Sequence, residues 1–111
     1  MLSTEFEDLQ EALTNYNRAI DRYPTASDYN NRGLLKASKL QDIYGGLTDF
    51  DRAIQLDPQN ADAYVNRGLL KNELLGDRAG GIADMQQAAR LYQQQNNTKD
   101  YQIIHDLIED W

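Results

Sequence analysis

The sequence predicts an all-α fold built from antiparallel helix pairs, and three observations carry that expectation. The chain of 111 residues echoes itself at an offset of 35. Tyr29-Asn30-Asn31-Arg32-Gly33-Leu34-Leu35-Lys36 falls on Tyr64-Val65-Asn66-Arg67-Gly68-Leu69-Leu70-Lys71, and the match runs on through Gly46 on Gly81, Asp49 on Asp84, Phe50 on Met85 and Ala53 on Ala88. A period of this size marks stacked supersecondary units, none of which buries its apolar face alone. The apolar spacing is also helical: Leu2, Phe6, Leu9, Leu13, Tyr16 and Ile20 alternate steps of four and three and so share one helix face. Finally, no segment shows the period-two alternation of a strand.

Six helices follow in order. The first is predicted over 4–23, with Thr4 and Glu7 at capping-box spacing and Pro24 ending it, since proline disfavours helical geometry in the residue before it. The second runs over 26–39 behind an N-cap at Thr25, and the third over 43–55 behind Asp42. Asp57-Pro58-Gln59-Asn60 forms a turn in which Asn60 caps a fourth helix over 61–74. Asp77 caps a fifth over 78–94, and the polar stretch 93–97 reads as a fraying helix end and loop. Asn97 or Thr98 then caps a last helix over 99–110 with Tyr101, Ile104, Leu107, Ile108 and Trp111 on one side. Because Tyr16, Arg18, Ala19, Ile20 and Pro24 fall on Phe50, Arg52, Ala53, Ile54 and Pro58 at an offset of 34, the first helix belongs to the repeat as well. The chain is therefore one domain over 1–111. It contains the second helix of a partial unit (4–24), two full units (25–58 and 59–95) and a C-terminal capping helix (98–111).

Composition narrows the function classes. With 18 acidic against 11 basic residues the net charge is −7, so a basic groove for a phosphate backbone is not expected and nucleic acid is not a predicted partner. There is no cysteine, hence no disulfide, thiolate nucleophile or thiolate metal site. The segment Met1-Leu2-Ser3-Thr4-Glu5-Phe6-Glu7-Asp8 is acidic and lacks the basic start and apolar run of a signal peptide, and no stretch approaches the ~18 apolar residues of a membrane span. The expectation is a soluble, intracellular, cytoplasmic protein without membrane insertion.

These residues resemble the tetratricopeptide repeat family. The family's pattern places an aromatic early in the first helix of each unit (Tyr29, Tyr64) and a small residue four places on (Gly33, Gly68). Its second helix carries a small residue (Ala12, Gly46, Gly81), a large residue four later (Tyr16, Phe50, Met85), a further alanine (Ala19, Ala53, Ala88) and a linker proline (Pro24, Pro58). The resemblance covers about residues 11–91 and implies an α-solenoid. The phrasing Tyr-x-Asn-Arg-Gly-Leu is similar to that of small cyanobacterial members, which assist assembly of photosynthetic complexes, and so implies an assembly factor. Physically, glycine inside a helix costs about 1 kcal/mol relative to alanine. Four of them at repeated positions therefore call for a packing reason, namely close approach of helix backbones.

The chain departs from the family in ways that carry expectations of their own. Each unit has one extra residue around Leu40-Gln41-Asp42 and Leu75-Gly76-Asp77, which lengthens the inner turn. Arg32 and Arg67 stand where leucine is usual, and Asp49 and Asp84 recur in register. We expect Arg32 to pair with Asp49 and Arg67 with Asp84, joining the two helices of each unit. The competing reading is that these arginines grip an acidic ligand.

The resemblance further implies that the first helices of successive units line a concave groove for extended peptides or partner helices. Groove candidates here are Asn30, Asn31, Leu34, Ala37, Ser38, Val65, Asn66, Leu69, Asn72 and Glu73. Asparagines in such places hydrogen-bond a peptide backbone and Leu34 and Leu69 offer apolar contact, although the leucines also suit ordinary packing and Asn31 and Asn66 suit simple solvation. The subgroup that clamps acidic chaperone tails through lysine, asparagine and arginine is matched only at Asn31 and Asn66. Asp62 stands where a lysine would be needed.

Catalysis is not expected. The single histidine, His105, sits beside Asp106 on the last helix, where neighbours in sequence point in different directions, and reads as a surface or helix-end residue. Asp49/Asp51 and Glu109/Asp110 lack metal-loop spacing, and Gly45-Gly46 and Gly80-Gly81 follow no strand, so neither a metal site nor a phosphate loop is indicated. No cofactor is expected. The leading expectation is a module that binds another protein or peptide. The alternative is self-association into a homodimer through the first helix, which lacks the mate that a full unit would supply, with Leu2, Phe6, Leu9 and Leu13 as contact candidates.

Overall fold

A computed structural model describes residues 4–111, and among them there are six α-helices and no strand. These are α1 (Thr4–Arg22), α2 (Ala26–Ser38), α3 (Ile43–Leu56), α4 (Ala61–Glu73), α5 (Arg78–Gln94) and α6 (Thr98–Glu109). Each packs on its neighbour in chain order, and α2 also packs on α4. None of these helices is long and apolar enough to cross a membrane.

The boundaries are set by side chains at the helix starts. Thr25, Asp42, Asn60, Asp77 and Asn97 each accept a hydrogen bond from the backbone N–H three residues on, satisfying one of the donors that a helix start leaves without a partner. The first four lie where the sequence placed them, and of the two candidates for the last helix the cap is Asn97. Thr4, by contrast, is already helical and so is not the cap expected there; the residues before it lie outside those described.

The repeated glycines bring the helices of each pair together. A Cβ at Gly33 would lie 2.7 Å from Phe50 Cε1, and one at Gly46 would lie 2.8 Å from Ala37 Cβ. The second pair matches: a Cβ at Gly68 would stand 3.0 Å from Gly81 O, and one at Gly81 would stand 2.9 Å from Asn72 Cβ. Position 33 therefore faces 50 while 37 faces 46, and 68 faces 84 and 85 while 72 faces 81. Rising numbers on one helix meet falling numbers on the other, so both pairs are antiparallel.

The inner turns absorb the extra residue by left-handed backbone. Gln41 (φ 57°) and Gly76 (φ 67°) occupy the same place in the two turns. In each, the following aspartate donates its N–H to the lysine carbonyl at the end of the preceding helix, Asp42 to Lys36 and Asp77 to Lys71, both at 2.8 Å. The stretch expected to fray after α5 is instead closed. Asn96 is left-handed (φ 59°), its N–H bonds Gln93 O at 3.1 Å, and Asn97 N–H bonds Tyr92 O at 2.8 Å, the pairing of a Schellman motif.

The core forms two clusters. Ile20, Tyr29, Ala53 and Ala63 join α1 to α4, while Ala61, Met85, Ala88, Leu91, Tyr92 and Ile104 join α4, α5 and α6. The stripe on α1 is unevenly covered: Ile20 is buried, Leu9, Leu13 and Tyr16 are half-buried, and Phe6 is 55% exposed.

Candidate functional site

The basic side chains of α2 and α4 have internal partners. Arg32 Nε and Nη2 donate to Asp49 Oδ2 and Oδ1 at 2.8 and 2.7 Å, and Lys36 Nζ lies 3.4 Å from the same carboxylate. Arg67 repeats this on Asp84 at 2.8 Å through both nitrogens, with Lys71 Nζ at 3.3 Å. Asp49 and Asp84 are buried, so these are bidentate bonds to desolvated carboxylates, the strong form of the contact. The third guanidinium nitrogen reaches back to a helix of the preceding unit: Arg32 Nη1 to Asn17 Oδ1 of α1 at 2.9 Å and Arg67 Nη1 to Asp51 Oδ1 of α3 at 3.0 Å. The hydrogen bond to Asp49 raises the pKa of Arg32 above its ordinary value, and the bond to Asp84, opposed by burial and helped by Asp51, does the same for Arg67. Both guanidiniums also lie over tyrosine rings, Tyr29 at 5.4 Å and Tyr64 at 5.5 Å. The pairing expected from the sequence is present, and it engages Arg32 and Arg67 with Asp49 and Asp84 in place of the alternative grip on an acidic ligand.

The face between α2 and α4 carries two adjoining cavities. The first, about 270 Å³, is lined by Ser27, Asn30, Asn31 and Leu34 on one side and by Asn60, Asp62, Val65 and Asn66 on the other. The second, about 230 Å³, is lined mainly by apolar groups, with Leu34, Ala37, Phe50, Leu69, Leu70 and Leu74 beside Ser38, Asn66 and Glu73. Leu34 and Asn66 line both, so the two cavities lie side by side and share a wall.

Asn30, Asn31, Leu34, Val65 and Asn66, all read from the sequence as groove residues, come together in the first cavity. Ala37, Ser38, Leu69 and Glu73 join Leu34 and Asn66 in the second. Ser38 is partly occupied with its own helix, donating its hydroxyl to Leu34 O. Asn72 is placed differently: its Cβ faces Gly81, in the seam between α4 and α5, and it lines neither cavity. Ser27, Asn60, Asp62, Phe50, Leu70 and Leu74 were not picked out as groove residues. For Asn60 a signal existed, since its side chain caps α4 and so had to project near the start of that helix; for the others the repeat pattern carried none.

The polar cavity has an unusual hydrogen-bond balance. Asn30 is 6% exposed, its Nδ2 donates to Asn60 Oδ1 over a long 3.5 Å, and its Oδ1 has no donor among the described residues. Asn60 Oδ1 also accepts from Ala63 N–H at 3.1 Å. Asp62 Oδ1 accepts the Tyr92 hydroxyl, and burial, followed by this bond, pushes the Tyr92 pKa above the ordinary tyrosine range.

The remaining candidates lie elsewhere. Leu2 falls outside the described residues, and Phe6, Leu9 and Leu13 lie on α1, which packs mainly on α2. His105 Nδ1 approaches Asp106 Oδ1 at 3.6 Å and Glu109 Oε1 at 3.7 Å, so the sequence neighbours do converge; all three are exposed on α6. The expectation that His105 and Asp106 point apart is corrected, because their side chains turn towards one another along the exposed face of the helix.

Fold and cleft together define the class: an all-α chain of antiparallel helix pairs with a two-part cleft between the first helices of consecutive pairs. No protein-family model matches the chain. Over 56 residues, 50% of this chain, it is 41% identical to sperm-associated antigen 1 of Mus musculus. The Rattus norvegicus protein of the same name is 39% identical over 56 residues. The chain spans about 6% of the length of these curated relatives.

Proposed function

We propose that the protein is a binding module that holds a peptide segment or helix of another protein along the α2/α4 face, and that it has no catalytic role. The observation carrying this reading is that a polar and an apolar cavity lie side by side and share Leu34 and Asn66 as lining residues. Side-chain amides suit the main chain of a bound segment, and the leucines suit one of its side chains. Half-chain similarity to sperm-associated antigen 1 is in keeping with a tetratricopeptide repeat relationship and with protein interaction as the general role. A part in assembling larger complexes, as the sequence resemblance implies, belongs to the same proposal. The test compares proteins captured by the wild type and by an Asn66→Ala/Leu69→Ala variant. Loss of specific partners from the variant supports the cleft, and an unchanged set places binding elsewhere.

A second reading is self-association through α1. It is favoured by the apolar face of α1, on which Leu9, Leu13 and Tyr16 are only half-buried. Sedimentation over a range of concentrations decides it: a dimer that dissociates on Phe6→Ser/Leu13→Ser supports the reading, and a strict monomer ends it.

A further inference from the structure

We infer that the α2/α4 cleft takes a segment carrying a lysine or arginine beside a bulky aliphatic side chain, the cation entering the Asn30–Asp62 cavity and the aliphatic group the Leu34–Leu69 cavity. This rests on the reading of the cleft as a peptide-binding surface and names the chemistry of its occupant.

Charge is the first argument. Neither cavity is lined by a lysine or arginine, and their charged members are Asp62 and Glu73. The cations on the same two helices, Arg32, Lys36, Arg67 and Lys71, are turned to Asp49 and Asp84 on α3 and α5. The cleft is thus a negative surface, and an acidic segment would meet repulsion without a compensating cation.

The second argument is the surplus of acceptors. Asn30 Oδ1 is buried and lacks a donor, a state that carries a desolvation cost until something donates to it. Reversing the Asn30 amide would set its oxygen against Asn60 Oδ1, so the orphan is intrinsic to the arrangement. Asn30 lines the polar cavity, so a donor that enters the cavity arrives beside it. Beside it, Tyr92 engages Asp62 Oδ1, while Oδ2 has no hydrogen bond or ion pair among the described residues. An ammonium or guanidinium brings several donors and no acceptor, which is the complement of this set.

The third argument is volume and placement. The apolar cavity of about 230 Å³ opens between Leu34, Leu69 and Leu74, with Leu34 44% and Leu74 49% exposed at its rim. Because it shares Leu34 and Asn66 with the polar cavity, one short segment can fill both.

The experiment uses the isotope-labelled full chain and blocked hexapeptides that carry one leucine and one lysine among glycines and serines, at several spacings. Companion peptides replace the lysine by glutamate or by norleucine, or the leucine by glycine. The expected result is displacement of the amide signals of α2, α4 and the Asn30, Asn31 and Asn66 side chains. The leucine–lysine peptide should bind about two- to fivefold tighter than its glutamate and norleucine counterparts, as one ionic contact at an exposed carboxylate allows. Asp62→Asn should narrow that gap, and raising the salt concentration should narrow it in the unaltered protein. If the glutamate or norleucine peptide binds the cleft as tightly, the charge inference is overturned and the peptide-binding reading stands. Signal changes away from α2 and α4, or none with any peptide, overturn both.

Discussion

Arg67 and Asp84 are joined by two parallel hydrogen bonds of 2.8 Å, and the same guanidinium reaches Asp51 of the preceding helix pair at 3.0 Å. One side chain thus fixes the helices within a pair and the pair against its predecessor. Arg32 does likewise with Asp49, but its outward bond goes to the neutral Asn17.

Removing either arginine leaves a buried carboxylate without its main partner. Arg32→Ala and Arg67→Ala are each expected to destabilise the fold by about 3–5 kcal/mol, read from urea unfolding midpoints. Paired replacement by apolar groups, Arg67→Met with Asp84→Leu, should restore much of the loss. The Arg67–Asp51 contact is worth less because Asp51 is 46% exposed, and a double-mutant cycle should give a coupling under about 1 kcal/mol.

The glycines at the helix crossings should resist even alanine. Alanine favours a helix by about 1 kcal/mol over glycine. At Gly46, however, the added methyl would sit 2.9 Å from Gly33 O, and at Gly81 it would sit 2.8 Å from Gly68 O, both backbone atoms. Gly46→Ala and Gly81→Ala should each cost about 1–3 kcal/mol in spite of propensity, as overpacked positions do.

The two inner turns invite reciprocal changes. Gln41 holds a left-handed conformation that glycine adopts without strain, whereas Gly76 already has glycine there. Gln41→Gly should therefore stabilise the fold by roughly 0.5–1 kcal/mol, and Gly76→Ala should destabilise it by about 1 kcal/mol. Thermal unfolding of both variants beside the wild type checks the pair.

Tyr92 gives a pH dependence. Its pKa is raised in the folded chain, so it stays protonated after its unfolded counterpart begins to ionise near pH 10. A group raised on folding contributes stability that is full below its unfolded pKa and is lost as pH climbs towards the folded value. Stability should thus fall above about pH 10, by up to ~1.4 kcal/mol per pH unit from this group alone. Tyr92→Phe should lose stability less steeply over the same range.

Much of this was legible before any coordinates. The caps at Thr25, Asp42, Asn60, Asp77 and Asn97 were readable because a short polar side chain just before an apolar period has one natural task. The Arg–Asp pairs were readable because two charges recurred in register. The echo did not place Asn72: it falls on Ala37, which both faces Gly46 and lines the apolar cavity, so register alone does not separate seam from groove. Other features had no local signal. The left-handed Gln41 is a glutamine where the second unit has glycine, and propensity alone gives no reason for it. The buried state of Asn30 depends on Asn60 arriving from the next turn, a contact between residues 30 positions apart.

The central claim is that the α2/α4 cleft is the surface that meets another protein. Hydrogen–deuterium exchange of the full chain with a captured partner tests it most directly. The account predicts added protection over residues 27–38 and 62–74 with little change in α6. Protection confined to α1 or α6, with the cleft helices unchanged, would contradict it.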